Sequence, residues 1–196
     1  MKNKEEIRRY IIDTAEKIFS RLGFDRTTMD IIAKEARKGK STLYYYFKNK
    51  EDLFQAVVQK EANYVLSELI KIIDSGKDAR STLKQYARRR FDLARQVYNY
   101  YHVIKNDDYY KYYPMIARFR RKHDEYEVQL IKQILLKGIA ADELKITLEQ
   151  VDPVAIAITA AMRGLEAPII LDTTAASLEN QIDTMIDIFF DGLAKK

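Results

Sequence analysis

Cysteine is absent from this chain of 196 residues, and histidine occurs only at His102 and His123. The absence of cysteine excludes disulfides, thiolate nucleophiles and cysteine-ligated zinc or iron–sulfur sites. The sequence also contains no nucleophile elbow and no helix motif with paired histidines. We therefore expect no catalytic residues, no metal site and no cofactor, and we predict that the protein is not an enzyme.

Long apolar runs are missing as well. No uncharged apolar stretch approaches the roughly 18 residues that a membrane span requires. The charged N-terminal stretch MKNKEEIRRY does not have the pattern of a signal peptide. We expect a cytoplasmic protein without membrane contact. Hydrophobic residues make up 47% of the chain, enough for the core of one large domain or of one medium and one small domain.

Positive charge is concentrated near the N-terminus. Residues 1–50 contain 13 Lys and Arg against 7 Asp and Glu, a net charge of +6, whereas the remaining residues contain 21 against 22, a net charge of −1. A localised basic region on a neutral body is typical of proteins that bind a polyanion such as nucleic acid. A solvated charged surface is the other explanation of this pattern.

Apolar residues recur at helical spacing throughout the chain, and no alternating strand pattern is found. The sequence therefore predicts an all-α protein of about nine helices. The buried face of the first helix is formed by Ile7, Ile11, Ala15, Ile18, Phe19 and Leu22. Gly23 ends this helix, and Thr27 or Thr28 caps the second. Residues 40–47 form a short third helix, and residues 50–73 form a long fourth.

Longer helices are predicted in the rest of the chain. They cover residues 81–105, Pro114 to near Gly138, Asp152 to near Pro168, and residues 175–193. Asp152 followed by Pro153 is a typical helix start, because a capping residue precedes a proline in the first turn. The change from short to long helices near residue 50 places a small domain in residues 1–50 and a larger one in residues 51–196, with the fourth helix linking them.

The segment GKSTLYYYFKNK, residues 39–50, combines four aromatic residues with three lysines. The second and third helices fit a helix-turn-helix, whose second helix enters the DNA major groove. Leu43 and Phe47 are four residues apart and share the buried face of that second helix. The tyrosines at 44–46 lie largely outside this face. Their rings and hydroxyls suit contacts with sugars, thymine methyl groups and phosphates.

The stretches AEKIFSRLGFDRTTMDIIAKEA and STLYYYFKNKEDLF, with the spacing between them, resemble the TetR family of bacterial transcriptional regulators. The resemblance covers roughly Ile7 to Val58, and the C-terminal part is similar only in length and helix pattern. It implies an N-terminal three-helix DNA-binding domain in residues 1–50. Residues 51–196 would then form a helical ligand-binding and dimerisation domain.

The resemblance also implies roles for individual residues. The positions that would contact the DNA backbone are Thr27 or Thr28, Tyr45, Tyr46 and Lys50. The positions that would face the bases, on the first turns of the third helix, are Lys40, Ser41, Thr42 and Tyr44. The implied function is a homodimeric repressor that binds a palindromic double-stranded DNA operator and is released by a small-molecule effector of unknown identity.

The turn between these helices departs from the family pattern. Arg37, Lys38 and Gly39 stand where the family usually has a glycine, an apolar residue and a serine. Either Arg37 adopts a positive φ, which costs roughly 1 kcal/mol for a non-glycine residue, or the turn is rearranged around Gly39. Gly39 is an acceptable N-cap for the third helix in both cases. The turn also adds two positive charges beside the groove.

Two alternative functions concern the same region. Gly39, Lys40 and Ser41 resemble the end of a phosphate-binding loop, but that motif requires a glycine where this chain has Lys34, and it requires a preceding strand. We therefore do not expect nucleotide hydrolysis. The second alternative is a helical protein-interaction and dimerisation module without sequence-specific DNA binding, in which the basic domain binds a protein partner.

Half of the fourteen tyrosines lie in residues 98–113. This group predicts either an aromatic effector pocket or a corner between helices whose tyrosine hydroxyls remain in water. The candidate pocket residues, which share one helical face, are Tyr98, Tyr101 and His102. Arg88 and Arg118 lie in two arginine-rich runs and are candidates for contact with an anionic effector, although such runs are usually solvated helix faces.

The last two predicted helices carry small residues and a broad apolar stripe. The residues that we assign to a dimer interface are Ala157, Ala161, Gly164, Leu178, Ile182, Met185 and Phe189. The alternative is that the stripe serves only the internal core. In the resembled family the last two helices pair across a twofold axis as a four-helix bundle, so the resemblance implies a homodimer.

Overall fold

The computed structural model describes residues 4–74, 78–96, 109–171 and 176–193. These residues contain eight α-helices and no β-strand, so the predicted all-α fold is confirmed. The helices are α1 (Lys4–Arg26), α2 (Met29–Glu35), α3 (Lys40–Tyr46), α4 (Lys50–Ile73), α5 (Ala79–Gln96), α6 (Tyr109–Ala140), α7 (Leu148–Leu171) and α8 (Ala176–Leu193). Among the described residues, no helix combines the length and apolar character that crossing a bilayer requires.

The chain divides into two compact units. Unit 1 comprises residues 1–63 and 97–119, and unit 2 comprises residues 64–96 and 120–196. Both α4 and α6 contribute residues to each unit. In unit 1 the first half of α4 shares a core with α1, α2 and α3. The assignment of residues 1–50 to a DNA-binding domain stays a prediction.

The core of unit 1 uses the helix faces that the sequence predicts. On α1 the buried residues include Ile11, Ala15, Ile18 and Phe19. Gly23, with φ 77° and ψ 169°, interrupts α1 at the predicted helix end. The chain then folds back, because Phe24 packs on Phe54 of α4 with ring centroids 4.9 Å apart. This contact joins the end of α1 to α4 in the core of unit 1.

Helix α5 is bound to three neighbouring helices of unit 2 through three successive arginines. Arg88 Nε donates to Asp183 of α8 at 3.1 Å. Arg89 Nη2 donates to Glu68 of α4 at 2.7 Å. Arg90 Nε donates to Glu127 of α6, also at 2.7 Å. Successive residues of a helix point about 100° apart, so the run Arg88–Arg90 contacts a different helix at each residue and is not a purely solvated face.

Helices α6 and α7 begin earlier than predicted. The structure starts α6 at Tyr109 instead of Pro114, and α7 at Leu148 instead of Asp152 and Pro153. At α7 the reason is a local cap, in which the Thr147 amide donates to Gln150 Oε1 at 2.9 Å and the Gln150 amide donates to the Thr147 carbonyl at 3.0 Å. This cap starts the helix within the sequence TLEQ, ahead of the Asp-Pro signal.

Helix α6 ends in a Schellman motif. The Glu143 amide donates to the Gly138 carbonyl at 2.8 Å, and the Asp142 amide donates to the Ile139 carbonyl at 3.0 Å. Asp142 occupies the left-handed position with φ 60°. A Cβ added at Gly138 would lie 2.8 Å from the Cβ of Ala79, so glycine is required where α6 passes the start of α5.

Candidate nucleic-acid interface

The start of α2 distinguishes the two adjacent threonines. Thr28 is exposed and is the N-cap, and its hydroxyl oxygen accepts from the Ile31 amide at 3.3 Å. Thr27 is fully buried, and its hydroxyl donates to the Gly23 carbonyl at 2.7 Å. Thr28 is therefore the candidate for DNA contact. Thr27 is removed from the predicted set because its side chain caps the end of α1 inside unit 1.

The turn after α2 resolves the alternative that the sequence left open. The Lys38 amide donates to the Ala33 carbonyl at 3.0 Å, and the Arg37 amide donates to the Lys34 carbonyl at 3.1 Å. These bonds form a Schellman motif with Arg37 in the left-handed position, at φ 49°. Gly39, at φ −64° and ψ 148°, is the N-cap of α3. The turn keeps its geometry, and Arg37 carries the strain.

Helix α3 is anchored by one face and exposed on the other. Leu43 is 0% exposed and Phe47 is 1% exposed, and both lie in the core of unit 1. Tyr44 and Tyr45 are 46% and 64% exposed. Tyr46 is half-buried and packs against the core. The predicted orientation is confirmed. Leu43 and Phe47 anchor the helix in the core, and the rings of Tyr44 and Tyr45 lie on the surface of unit 1.

The most exposed ring, that of Tyr45, has two neighbours. The Tyr46 ring meets it edge to face with centroids 5.0 Å apart. The Lys4 ammonium lies 4.8 Å from its centre, within the range of a cation–π contact. The hydrogen bond to Tyr45 raises the pKa of Lys4 above its ordinary value, so the ammonium stays charged beside the ring. Lys4 was missed in the sequence because no local pattern links α1 to α3.

The first turn of α3 is tied to α2 by an ion pair. Lys40 Nζ lies 2.8 Å from Asp30 Oδ1, and both side chains are exposed. Asp30 raises the pKa of Lys40 above its ordinary value. Ser41 is exposed and Thr42 is half-buried. All three predicted residues of this turn therefore lie at or near the surface that carries Tyr44.

Lys50, the first residue of α4, is bound within unit 1. Its ammonium donates to the carbonyls of Phe24 at 2.8 Å and Asp25 at 3.4 Å. It also lies 4.2 Å from the centre of the Phe24 ring. The ammonium therefore satisfies carbonyls at the end of α1, and any phosphate contact must share it.

Only two of the five predicted effector residues, Arg88 and Arg118, lie among the described residues. Tyr98, Tyr101 and His102 lie outside the described residues. Arg88 pairs with Asp183 of α8. Arg118 is exposed, and its guanidinium carbon lies 5.4 Å from the centre of the Phe119 ring.

A buried polar group in unit 2 was not predicted. Tyr86 is fully buried, and its hydroxyl has no hydrogen-bond partner among the described residues. Burial raises the pKa of Tyr86 well above its ordinary value. Arg90, four residues later on α5, is 4% exposed and pairs with Glu127. The two residues are four apart and share the buried face of α5, which also carries Leu83, Ala87 and Phe91.

An exposed apolar face is formed by α7 and α8 of unit 2. Of the predicted interface residues, Ala157, Ala161, Gly164 and Met185 are exposed and Phe189 is half-buried. The side chain of Leu178 lies outside the described structure. Ile182 is only 5% exposed and packs in the core of unit 2, which removes it from the interface. Two residues that were not predicted, Ile156 and Ile188, are 57% and 67% exposed.

The same face contains a small cavity. Its volume is about 100 Å³, and apolar side chains of α5, α7 and α8, including Ala161 and Met185, line it. No group of three or more His, Asp or Glu side chains that could hold a metal ion occurs in the part of the chain that the structure describes.

Residues 11–57 match the family model of bacterial regulatory proteins, tetR family. The chain is 46% identical over 50 residues to the uncharacterized HTH-type transcriptional regulator YhgD of Bacillus subtilis. The aligned stretch covers 26% of this chain and 26% of that one. It is 39% identical over 61 residues to the biofilm operon icaADBC HTH-type negative transcriptional regulator IcaR of Staphylococcus epidermidis, or 31% of this chain and 33% of that one. These matches span about a quarter to a third of the curated relatives' length.

Solved structures resemble the chain over nearly its whole length. A transcriptional regulator from Cytophaga hutchinsonii superposes with a TM-score of 0.77 at 27% identity, covering 95% of this chain and 98% of that chain. The transcriptional regulator FadR from Bacillus subtilis, in complex with stearoyl-CoA, superposes with a TM-score of 0.69 at 20% identity, covering 91% and 96%. At this level of identity, the similarity to FadR shows only that the two proteins share a fold.

Proposed function

Because this chain belongs to the tetR family of bacterial regulatory proteins, we propose that it is a cytoplasmic transcriptional regulator that binds double-stranded DNA through α2 and α3. One observation carries the proposal. Burial of Leu43 and Phe47 leaves Tyr44 and Tyr45 exposed on a helix that follows a helix-turn-helix turn. The net charge of +6 in residues 1–50 supplies the attraction for phosphate.

The proposed contacts fall into two groups. Thr28, Tyr45, Tyr46 and Lys50 contact the DNA backbone and fix the position of α3. Lys40, Ser41, Thr42 and Tyr44 face the base edges and determine the sequence that is bound. This division follows the general behaviour of such interfaces, in which phosphate contacts position the protein and base contacts select the site.

We also propose that the protein is a homodimer that binds a palindromic operator. The support is the exposed apolar face of α7 and α8, which contains Ile156, Met185 and Ile188. An exposed patch of this kind is typical of a protein–protein contact. Two copies related by a twofold axis place their α3 helices about 34–36 Å apart, or a multiple of that distance, so the operator has two matching half-sites.

We further propose that DNA binding is repressive and is released by a small molecule bound in the C-terminal domain. The curated relative IcaR is a negative transcriptional regulator, and FadR was crystallised with stearoyl-CoA. The candidate contact residues are Tyr98, Tyr101, His102, Arg88 and Arg118. Release requires only that the ligand binds the DNA-incompetent state more tightly.

Selection of bound duplexes from a random pool tests the DNA-binding proposal. We expect enrichment of a palindromic sequence, and binding that weakens steeply with salt because phosphate contacts release counterions. The same duplex then serves in a metabolite screen for release. If no duplex is enriched at low salt, and an acidic protein competes for the basic domain instead, the chain is a protein-interaction module.

A further inference from the structure

The lysines assigned to DNA contact have internal partners in unit 1. Lys40 pairs with Asp30 at 2.8 Å, and the Lys50 ammonium donates to the Phe24 carbonyl at 2.8 Å. A phosphate must compete with these partners or share the ammonium with them. These two residues therefore account for only part of the attraction that the basic domain exerts on DNA.

The turn before α3 carries cations that are not engaged in this way. Lys34, Arg37 and Lys38 make no ion pair and no side-chain hydrogen bond with any residue in the described ranges. Arg37 is exposed, and it lies three residues before Lys40, the first residue of α3. Of the three, arginine is the side chain whose planar guanidinium binds a phosphate through two parallel hydrogen bonds.

The backbone conformation of Arg37 is a second observation that indicates a functional role. Among the described residues, Arg37 and Asp142 are the only non-glycine residues with a positive φ. Both occupy the left-handed position of a Schellman motif, where glycine is strongly favoured. A strained residue at a surface turn is a reason to look for a function. At Arg37 the strained residue is also an unengaged cation beside the proposed recognition helix.

We propose that Arg37 is a phosphate-binding residue, which extends the DNA interface from α3 into the turn. The guanidinium binds a backbone phosphate next to the groove that α3 enters, and the glycine favoured by the backbone would lose this contact. The inference rests on the proposed function. It adds a sequence-independent contact to a helix-turn-helix whose recognition residues are already assigned.

The test is a salt titration of DNA binding by fluorescence anisotropy, using a duplex selected from the random pool. Each lost phosphate contact makes the slope of log K against log salt shallower by about 0.9. We expect that change, for each bound protomer, in Arg37→Asn, because asparagine tolerates a left-handed backbone but carries no charge. Arg37→Lys keeps the charge and should retain the parent slope. Arg121→Asn, in unit 2, controls for the loss of one positive charge from the chain.

A second variant separates the phosphate contact from folding. Arg37→Gly relieves the backbone, so its urea midpoint should rise while its salt slope becomes shallower. Asp142→Gly relieves the same conformation in unit 2 and should raise the midpoint without changing the slope. A parent slope retained by both Arg37→Asn and Arg37→Gly overturns this inference and leaves the proposed function standing. A parent protein that binds no duplex overturns the proposed function and the inference together.

Discussion

The ammonium of Lys50 lies 2.8 Å from the carbonyl oxygen of Phe24 and joins the first residue of α4 to the end of α1. The Phe24 carbonyl lies just after Gly23, which interrupts α1, and it also accepts from the Thr27 amide at 3.3 Å, so Lys50 is its second donor. Lys50 belongs to α4, but its ammonium donates to carbonyls at the end of α1, as a C-terminal capping residue would. The contact therefore adds a polar link between α1 and α4 to the apolar packing of unit 1.

We expect Lys50→Met to lower the free energy of unfolding by about 1–2 kcal/mol, because the Phe24 carbonyl loses a charged donor. Urea unfolding measures this change. Lys48→Met is the matched control, since the Lys48 side chain is exposed and makes no ion pair with a described residue. Its stability should stay within about 0.5 kcal/mol of the parent. Equal effects of the two substitutions would show that the carbonyl contact contributes nothing.

Tyr45→Ala should weaken DNA binding for all sequences by roughly 1–3 kcal/mol, because it removes a ring and a hydroxyl that we propose contact the DNA backbone. The ring is 64% exposed, so folding stability should barely change. Anisotropy titrations with the selected duplex and with a scrambled duplex measure both affinities. Tyr45→Phe removes only the hydroxyl, so it distinguishes the contribution of the hydroxyl to binding from that of the ring. An unchanged affinity in Tyr45→Ala would remove Tyr45 from the interface.

Lys40→Ala should change the preferred base at one position by about 1–3 kcal/mol, if the ammonium meets a guanine edge. Selection from a random pool with parent and variant provides the comparison. Asp30→Asn is the informative partner variant, because it removes the carboxylate that holds Lys40. It should tighten binding without altering the selected sequence. Identical sequence logos for the parent and Lys40→Ala would exclude a base contact.

Ile188→Asp should weaken the proposed homodimer. Ile188 is 67% exposed on α8, so a carboxylate there leaves the folded protomer intact but opposes burial against a second copy. Sedimentation velocity should show the dimer dissociation constant rising at least about tenfold, which corresponds to about 1.4 kcal/mol. Leu136→Asp, on α6 and 42% exposed, is the control and should remain dimeric. A monomeric parent would reject the proposed interface.

Tyr86→Phe should leave the stability of the protein unchanged or raise it by about 1 kcal/mol. The hydroxyl is fully buried and has no hydrogen-bond partner among the described residues, so its removal relieves a desolvation cost. Urea unfolding gives the sign. Leu83→Ala, at another fully buried site on α5, is the contrasting case and should cost about 2–5 kcal/mol. A clear loss of stability in Tyr86→Phe would mean that the hydroxyl is bonded in the folded protein.

Signals that act within a few residues were readable from the sequence. The four-residue spacing of Leu43 and Phe47 fixed the buried face of α3, and Gly23 marked the interruption of α1. The Asp152–Pro153 pair predicted the start of α7 four residues too late. The helix begins earlier because the Thr147 amide donates to Gln150 Oε1 at 2.9 Å, a local cap that the prediction did not consider. The periodicity of apolar residues was sufficient to predict that each element is a helix, but it was insufficient to predict where α7 begins.

The sequence by itself determined the all-α class, the helix-turn-helix and the outward direction of Tyr44 and Tyr45, because each depends on residue spacing within single helices and on the turn between neighbouring ones. The tertiary structure decided which side chains are buried and which polar groups have distant partners. It buried Thr27, assigned Ile182 to the core and gave Lys50 a partner 26 residues away. Such partners are chosen by the placement of one helix against another, and no local spacing encodes that placement.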